Sequence, residues 1–208
     1  GHDENKIFIK LGNKSIIQWT LSHIEQVKAV SEVILVVADG EAAYMKQHIA
    51  SLGLSKSIKI ITGGKERQDS VYAGLQAVSD DMDIVLVHDG ARPLAKPELF
   101  KSVIEGAKTH GAVTIGVPST DTIKRVDIDG QVLETLNRNE LMNIQTPQGF
   151  LKNIFKEAQE TAKRDAYLGT DDVSLGEYIG KDVYILEGDY ENIKVTTPND
   201  IAVAKRYL

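Results

Sequence analysis

The stretch IVLVHDGARP, at positions 84–93, decides the fold of this chain. Its first four residues are all apolar, which is typical of a strand covered by helices on both faces, because such a strand has no solvent-facing side. The six residues that follow are mostly small or polar. In open α/β sheets, ligand-binding groups lie just beyond the carboxyl ends of the strands. The stretch therefore predicts a buried strand with a binding site at its end.

Similar apolar runs recur along the chain and alternate with longer helical patterns. Strands are predicted at 33–37, 58–61, 84–87, 112–117 and 183–187. Helices are predicted at 15–29, 41–52, 67–79, 96–109, 151–163 and 171–180, with a last helix from Asn199 or Asp200 onward. The alternation of strands and helices indicates an α/β fold, in which a mostly parallel sheet with right-handed crossovers carries helices on both faces.

The pattern changes after Pro118. Residues 122–126 and 131–135 predict a β-hairpin with the Asp-Gly pair at 129–130 in its turn. Because the hairpin has too few apolar residues to cover a large core face, we interpret it as an arm that leaves the main sheet. Residues 145–150, between this arm and the next helix, are interpreted as a loop.

The composition excludes several classes of protein. The chain has 208 residues, enough for one α/β domain, and it has no cysteine, which excludes disulfide scaffolds and cysteine nucleophiles and fits a cytoplasmic protein. Its 24 basic and 30 acidic residues give a net charge of −6, the opposite sign to that of most nucleic-acid-binding proteins. No apolar stretch is long enough to span a bilayer. We therefore expect neither nucleic acid nor membrane as a partner, although a local group of lysines and arginines could bind a small anion.

Two polar segments follow predicted strands in the first half of the chain. In GGKERQDS, at 63–70, paired glycines allow close backbone approach and a helix start favours anionic groups, although a tight turn explains the segment equally well. In HDGARP, at 88–93, Asp89 could hold Mg²⁺ and Arg92 could bind a phosphate. An Asx-turn and an ordinary ion pair are the alternatives for these two residues. His88 continues a buried strand and is interpreted as structural.

Two further segments lie in the second half. In ENIKVTTPND, at 191–200, the threonines and the proline are explained by a helix cap. The cap does not explain Lys194, because strand-like alternation directs its side chain away from its apolar neighbours, into solvent or into a site. The remaining segments, 136–138 and 145–150, are explained most simply as a connection between the arm and a helix.

Six motifs together resemble one family of enzymes in their order and spacing. They are Gly63-Gly64-x-x-Arg67-x-x-Ser70, His88-Asp89-x-Ala91-Arg92-Pro93, Asp121-Thr122-Ile123-Lys124-Arg125, Gln145-Thr146-Pro147-Gln148, Thr170-Asp171-Asp172-x-Ser174 and Asn192-Ile193-Lys194-Val195-Thr196. From Lys6 to the last helix, the chain is similar to the 2-C-methyl-D-erythritol 4-phosphate cytidylyltransferases.

The resemblance implies a single Rossmann-like nucleotidyltransferase domain over residues 1–208. It implies a β-arm at about 119–142 that clasps a partner subunit in a homodimer. The implied reaction transfers a cytidylyl group from CTP to the sugar-alcohol phosphate, with Mg²⁺ as cofactor. A phosphate monoester has a second pKa of about 6, so it attacks as a dianion without a general base, and the transition state needs fixed positive charge.

The resemblance also implies roles for individual residues. The implied catalytic residues, which flank the α-phosphate, are Lys6 and Lys194. The implied nucleotide-binding residues are Gly64 and Ser70 at the cytosine, Gly90 at the ribose, and Arg67 and Arg92. The implied sugar-phosphate-binding residues are Asp89, Thr146, Thr170 and, from the partner's arm, Thr122 and Arg138. Asp89 is also the implied Mg²⁺ ligand.

The chain departs from the family pattern in two places. Residue 90 is glycine where the family commonly has alanine, a change that keeps the backbone contact. The family also opens with a strand and a glycine-rich, arginine-containing loop around the CTP triphosphate, and this sequence begins after that loop. We expect the native protein to carry such a segment, of about 15–20 residues.

Two alternative functions remain open from the sequence. The ribitol-5-phosphate cytidylyltransferases share the scaffold, but the motif at 67–70 and the run at 123–125 favour the erythritol enzyme. A catalytically weak nucleotide-binding dimer is the second alternative, because loss of the triphosphate loop would produce one.

Overall fold

The structure is a computed structural model that describes residues 5–208. Its strands are β1 (Lys10–Leu11), β2 (Lys14–Ser15), β3 (Glu32–Val37), β4 (Ser57–Thr62), β5 (Ile84–Val87), β6 (Ala112–Pro118), β7 (Lys124–Val126), β8 (Val132–Thr135), β9 (Met142–Leu151) and β10 (Tyr184–Glu187). Its α-helices are α1 (Ile16–Glu25), α2 (Ala42–Ile49), α3 (Arg67–Gln76), α4 (Pro97–His110), α5 (Lys152–Arg164), α6 (Val173–Tyr178) and α7 (Pro198–Ala204). The predicted alternation of strands and helices, and with it the α/β class, is confirmed.

Four strands form the central sheet, in the order β10-β6-β9-β5. β10 pairs with β6 in parallel, whereas β9 runs antiparallel to both of its neighbours, β6 and β5. β3 and β4 form a separate parallel pair. The expectation of a mostly parallel sheet therefore needs a correction. The central sheet is mixed, because one long strand enters between β5 and β6 in the opposite direction.

Strand β9 includes the segment that the sequence pattern assigned to a loop. Its residues from Gln145 to Phe150 are buried, although several of them are polar. The polar side chains find partners inside the protein; Gln145 Nε2, for example, donates to the backbone carbonyl of Asp189 at 2.8 Å. The loop interpretation was wrong because periodicity detects apolar alternation, whereas this strand is filled with hydrogen-bonded polar groups.

Helices cover both faces of the central sheet, as predicted. On one face, Val103 of α4 packs against Val113 and Ile115 of β6. On the other, Phe155 of α5 stacks on Phe150 of β9, with ring centroids 4.2 Å apart. All five side chains are fully buried. Burial of one such side chain stabilises a fold by roughly 1.5–3 kcal/mol, so these two layers hold the sheet that positions the site.

A capping box starts α7, the helix that follows Lys194. Asp200 N–H donates to Thr197 Oγ1 at 3.3 Å, and Thr197 N–H donates to Asp200 Oδ2 at 2.8 Å. Backbone hydrogen bonds from Thr196 and Thr197 lower the pKa of Asp200 to about 2. The helix thus begins at Pro198, one or two residues before the predicted start at Asn199 or Asp200, and the cap fixes the end of the segment that carries Lys194.

β7 and β8 form the predicted hairpin, with Lys124 opposite Thr135. Gly130 has a φ of 85°, the left-handed conformation that its turn requires. The apolar side chains of the hairpin that are at least half exposed are Val126, Ile128, Val132 and Leu133. The predicted hairpin is therefore present and exposed, and its role as an arm in a dimer stays a prediction.

Two expectations about the chain as a whole stay predictions. The expected strand and loop before Lys6, and the part of the single domain formed by residues 1–4, lie outside the described residues.

Within residues 5–208, the longest helix is α4, with 14 residues, and none of the helices there combines the length and the hydropathy needed to cross a membrane.

Gly149 in β9 lies where a side chain does not fit. An added Cβ would stand 2.5 Å from Val103 Cγ1 and 3.3 Å from the Val103 carbonyl oxygen. Because α4 must move to remove the clash with Val103, we expect Gly149→Ala to lower the free energy of unfolding in urea by about 1–3 kcal/mol. Gly176→Ala in α6 is the control, since its Cβ would meet Val183 at an ordinary 3.5 Å. That change should stabilise the protein by about 0.5–1 kcal/mol, and a neutral Gly149→Ala would contradict the tight packing.

Candidate active site

Asp89, which follows β5, is the centre of a group of charged side chains. Lys194 Nζ lies 3.4 Å and Arg92 Nε 3.3 Å from Asp89 Oδ2, and Arg67 Nη2 lies 3.7 Å from Asp89 Oδ1. These four residues are called the Asp89 cluster below. Three cations around one carboxylate give these four residues an excess of positive charge in a chain with a net charge of −6, which Asp172 and Asp171 beside Arg67 reduce. Such an excess attracts an anionic ligand.

The cations keep Asp89 ionised. Burial alone would raise the pKa of this carboxyl, but Lys194, Arg92 and Arg67 outweigh burial and hold the pKa below its usual value. Within residues 5–208, no three acidic or histidine side chains converge as a metal site. Mg²⁺, however, is often held by one carboxylate together with substrate phosphates. The ionised Asp89 fits that mode of binding.

Arg92 and Lys194 lie on two segments that hydrogen bonds join. Val195 N–H donates to the carbonyl of Ala91 at 2.8 Å, and the Val195 side chain is buried. Lys194, its neighbour, therefore projects to the opposite side, into the cluster. Arg92 Nη1 donates to the carbonyl of Asn192 at 2.7 Å. The segment before α7 and the segment after β5 thus position their cations together.

Arg67, the first residue of α3, bridges two carboxylates. Its Nη1 and Nη2 donate to Asp172 at 3.2 and 2.7 Å, and Nη2 also faces Asp89. Burial would lower the pKa of Arg67, but the hydrogen bonds and charge of Asp172, with the charge of Asp89, outweigh burial and raise it. The bidentate contact joins the start of α3 to the segment before α6.

The loop between β4 and α3 has no room for side chains at its two glycines. A Cβ at Gly63 would stand 2.5 Å from Ser70 Oγ, and one at Gly64 would clash with Asp69 Cβ. Gly64 N–H donates to Ser70 Oγ at 3.1 Å, and Ser70 Oγ donates to the Glu66 carbonyl at 3.2 Å. Gly64 and Ser70 thus shape the loop, and their implied contacts with cytosine stay predictions.

Thr146, in β9, faces the end of β5. Its Oγ1 accepts a hydrogen bond from Asp89 N–H at 3.0 Å and lies 3.0 Å from His88 Nδ1. Burial lowers the pKa of His88 to about 4, so its imidazole is neutral at pH 7. The His88 ring also packs edge-on against Phe100, with centroids 4.9 Å apart. These contacts support the structural interpretation of His88 and place Thr146 at the Asp89 backbone.

Gly90 lies between the Asp89 cluster and α1. Its carbonyl accepts a hydrogen bond from Thr20 Oγ1 at 2.9 Å. A Cβ at Gly90 would stand 3.2 Å from Ile17 Cδ1, so an alanine would require Ile17 to shift by a few tenths of an ångström. The glycine at this position therefore suits the close packing of α1 against the site.

Thr170 lines a cavity of about 190 Å³ between the starts of α3 and α6. Gln148 of β9 holds this segment in place. Its Nε2 donates to Asp171 Oδ2 at 2.9 Å, and its Oε1 accepts from the N–H groups of Asp172 and Val173 at 3.1 and 3.0 Å. One buried glutamine thus accepts hydrogen bonds from the N–H groups at the start of α6 and fixes the segment that presents Thr170.

Three implied site residues lie apart from the Asp89 cluster. Thr122 and Arg138 are exposed on the arm, where Arg138 Nη1 donates to the Thr120 carbonyl at 2.9 Å. Lys6 is exposed at the start of a 3-10 turn, Lys6–Phe8. In the part of the chain that the structure describes, none of the three hydrogen-bonds or ion-pairs with a member of the cluster.

Sequence reasoning missed the polar residues that support the site from behind. They are Gln145, Gln148, Asp172 and Asn192, all of them buried. Each one belongs to a motif that carries the family resemblance, and that was the available signal. Their hydrogen-bond partners lie in distant segments, so local pattern alone does not reveal what they do.

Known proteins with the same organisation identify the family. A family model described as 2-C-methyl-D-erythritol 4-phosphate cytidylyltransferase matches residues 1–208. The chain belongs to this family. The cytidylyltransferase of that name from Bacillus cereus is 42% identical over 208 residues, spanning all of this chain and 91% of that relative. The one from Pelotomaculum thermopropionicum is 43% identical over 209 residues, spanning all of this chain and 88% of that relative.

Solved structures of cytidylyltransferases agree with this assignment. The crystal structure of 4-diphosphocytidyl-2C-methyl-D-erythritol synthase from Anaerococcus prevotii has a TM-score of 0.90 at 33% identity, covering 97% of this chain and 92% of that one. The cytidylyltransferase from Thermus thermophilus has a TM-score of 0.81 at 29% identity, covering 97% and 92%. The resemblance seen in the sequence is confirmed, as is the class of enzyme, a nucleotidyltransferase. The erythritol family is favoured over the ribitol alternative.

Gln148 offers a test of how this cytidylyltransferase builds its site. Gln148→Leu leaves two buried N–H groups at the start of α6 without an acceptor, so we expect the free energy of unfolding to fall by about 3 kcal/mol. Gln159→Leu is the matched control, because Gln159 is equally buried, at 1% exposed, and its Nε2 has no hydrogen-bond partner in residues 5–208. That change should be nearly neutral. Urea unfolding measures both, and equal losses would contradict the proposed difference.

Proposed function

We propose that the chain transfers a cytidylyl group from CTP to 2-C-methyl-D-erythritol 4-phosphate, giving 4-diphosphocytidyl-2-C-methyl-D-erythritol and pyrophosphate. A bond forms between a sugar-phosphate oxygen and the α-phosphorus of CTP. The bond between the α-phosphorus and the oxygen that leaves with pyrophosphate breaks. The observation that carries this proposal is the Asp89 cluster, which concentrates positive charge at the end of β5 in a member of this family.

The attacking phosphate needs no base from the protein. Its second pKa is about 6, so at neutral pH it is mostly a dianion. The obstacle is the repulsion between this dianion and the triphosphate. We assign Lys194 and Lys6 to the two sides of the α-phosphate, where ammonium groups stabilise the charge on its equatorial oxygens in the transition state. The contact of Lys194 with Asp89, at 3.4 Å, supports its part in this arrangement.

We assign the nucleotide to the side of the site that the loop after β4 and the segment after β5 form. In this proposal, Gly64 and Ser70 contact the cytosine, Gly90 contacts the ribose, and Arg67 and Arg92 order the surrounding charges. The absence of space for side chains at the glycines of 63–64 supports this, because a flat base needs close approach to the backbone.

We assign the sugar phosphate to Asp89, Thr146 and Thr170. The hydrogen bond between Asp89 N–H and Thr146 Oγ1 supports a shared site, as does the position of Thr170 beside the start of α3. In this proposal, Thr122 and Arg138 complete the site from the arm of a second subunit. A guanidinium can bind a phosphate with two parallel hydrogen bonds, which suits Arg138 to that role.

Mg²⁺ is the proposed cofactor, held by Asp89 together with substrate phosphates. When bound, it neutralises charge on the phosphate oxygens. The low pKa of Asp89 supports this role, since hard cations prefer an ionised oxygen ligand.

The proposed homodimer forms through the arm. A two-stranded hairpin is marginally stable alone in water, and this one exposes four apolar side chains that a partner could cover. The same contact would carry Thr122 and Arg138 to the partner's site. We also propose that the enzyme works in the cytoplasm, a location with which the absence of cysteine agrees.

Pyrophosphate release tests the proposed reaction. The full native chain is supplied with CTP and Mg²⁺, and 2-C-methyl-D-erythritol 4-phosphate or ribitol 5-phosphate is offered in turn. We expect release with the erythritol substrate. Release with ribitol 5-phosphate alone would overturn the proposal, and no release with either substrate would favour a catalytically weak nucleotide-binding dimer.

Lys194→Ala should lower kcat by about 10²-fold or more, because it removes one fixed charge that stabilises the transition state. Lys101→Ala is the matched control. Lys101 also lies near a carboxylate, Glu98 Oε1 at 3.8 Å, but on the exposed surface of α4. Steady-state kinetics of both variants measure the difference, and near-wild-type turnover of Lys194→Ala would remove this lysine from the mechanism.

Arg138→Ala should mainly raise KM for the sugar phosphate, because it removes a phosphate contact rather than charge at the α-phosphorus. Mixed dimers test whether the contact comes from the partner. A dimer of one Arg138→Ala and one Lys194→Ala subunit has one intact site if the arms reach across, and none if each arm serves its own subunit. Mixing the two variants in equal amounts should therefore restore about a quarter of the wild-type sites, measured at low sugar phosphate. No recovery would contradict the exchange of arms.

A further inference from the structure

Asn192 lies two residues before Lys194, and its side chain is completely buried. Its Nδ2 donates to Gln145 Oε1 at 3.3 Å and to the Thr146 carbonyl at 3.0 Å. Both partners are acceptors, so only an amide nitrogen can face them. The Asn192 backbone carbonyl in turn accepts from Arg92 Nη1 at 2.7 Å. Asn192 therefore contacts β9 with its side chain and Arg92 with its backbone.

These contacts close a circuit of hydrogen bonds around the site. The Asn192 side-chain amide donates to the Thr146 carbonyl, and Thr146 Oγ1 accepts from Asp89 N–H at 3.0 Å. The Asp89 carboxylate accepts from Arg92 Nε at 3.3 Å, and Arg92 returns to the Asn192 carbonyl. Thr146, Arg92 and Asn192 are all buried. A buried network of this kind is rigid, because each bond fixes the groups that make the next one. Among the described residues, only the Nδ2 side of the Asn192 amide is bonded, since Asn192 Oδ1 has no hydrogen-bond partner there.

Lys194 depends on the same backbone. Asn192 N–H donates to the Asp189 carbonyl at 2.9 Å on one side of it, and Val195 N–H donates to the Ala91 carbonyl at 2.8 Å on the other. The Lys194 side chain itself is 45% exposed, and its ammonium group can reach Asp89 only if the backbone that carries it is held at this place. The position of its ammonium group next to Asp89 therefore rests on these backbone anchors.

We propose that Asn192 is a positioning residue for cytidylyl transfer. Its amide fixes the backbone that carries Lys194, and its carbonyl fixes Arg92, so that both cations stay at Asp89. Because its side chain is buried, Asn192 acts through these residues and does not touch the substrates. The inference rests on the proposed function through the role assigned to Lys194.

Asn192→Asp is the first test, because the two side chains have the same shape. The acid replaces the donor with an acceptor that faces Gln145 Oε1 and the Thr146 carbonyl. We expect kcat to fall by about 10²-fold, as for a small misplacement of reacting groups, and KM for CTP and for the sugar phosphate to rise by a much smaller factor. Asn192→Ala, which removes the amide without adding charge, should change the kinetics in the same direction.

Gln159→Glu is the matched control for these variants. Gln159 is another buried amide, on α5, and it takes no part in the hydrogen bonds of the circuit among residues 5–208. Its replacement by an acid should lower stability without lowering kcat. An equal loss of kcat in Gln159→Glu would show a general effect of a buried acid and overturn the inference. Failure of both Asn192 variants to fold, judged by circular dichroism, would make Asn192 a purely structural residue and also overturn it.

A double variant tests whether Asn192 acts through Lys194. If it does, adding Asn192→Asp to Lys194→Ala should lower kcat only slightly further. This further loss should be far smaller than the loss that Asn192→Asp causes in the wild-type protein, because coupled effects do not multiply. Fully multiplied losses would overturn the inference. Wild-type kcat in both Asn192 variants, while Lys194→Ala is inactive, would overturn the inference and leave the proposed function intact. Wild-type kcat in Lys194→Ala would overturn the proposed role of Lys194, and the inference with it.

Discussion

The ionised carboxylate of Asp89, nearly buried at the end of β5, is the constraint on which the rest of the site depends. A buried charge is tolerated only when it is paired, and Asp89 is paired three times, by Arg67, Arg92 and Lys194. These cations come from the start of α3, from the segment after β5 and from the segment before α7. One carboxylate therefore requires three separate parts of the chain to converge.

Strand β9 is what allows them to converge, because its polar side chains each hold a different segment. Gln145 holds the segment that leads to Lys194, through the Asp189 carbonyl; Thr146 holds the backbone of Asp89; and Gln148 holds the start of α6. These amides and the hydroxyl occupy core positions that apolar residues would otherwise fill. Since all three find partners, the strand can be polar without a large cost in stability.

The difference between the apolar strand β5 and the polar strand β9 explains how much of the molecule the sequence could predict. The strand at 84–87 was predictable because it is continuously apolar, and Asp89 and Arg92 were found because they follow it directly. The expectation that it is a fully buried parallel strand was wrong, since β5 is partly buried and pairs antiparallel with β9 at one end of the described sheet. β9 was not predictable in this way, since Gln145 and Gln148 carry no apolar alternation. The approach of Lys194 to Asp89 joins residues more than a hundred positions apart, which no local spacing encodes. The positions implied for Thr122 and Arg138 rest on family resemblance, because their proposed partner is a second subunit.

The charges of the site follow from the same arrangement. The cations Arg67, Arg92 and Lys194 are held close together in the free protein because carboxylates, namely Asp89, Asp172 and the neighbouring Asp171, offset their charge. Without these carboxylates, three converging cations would repel one another and the segments that carry them would separate. A polyphosphate brings further negative charge to cations that are already in place, so little reorganisation is needed when it binds. In the proposed mechanism, Asp89 therefore acts twice: it assembles the cations before substrate arrives, and it offers an oxygen ligand to the Mg²⁺ that accompanies the phosphates.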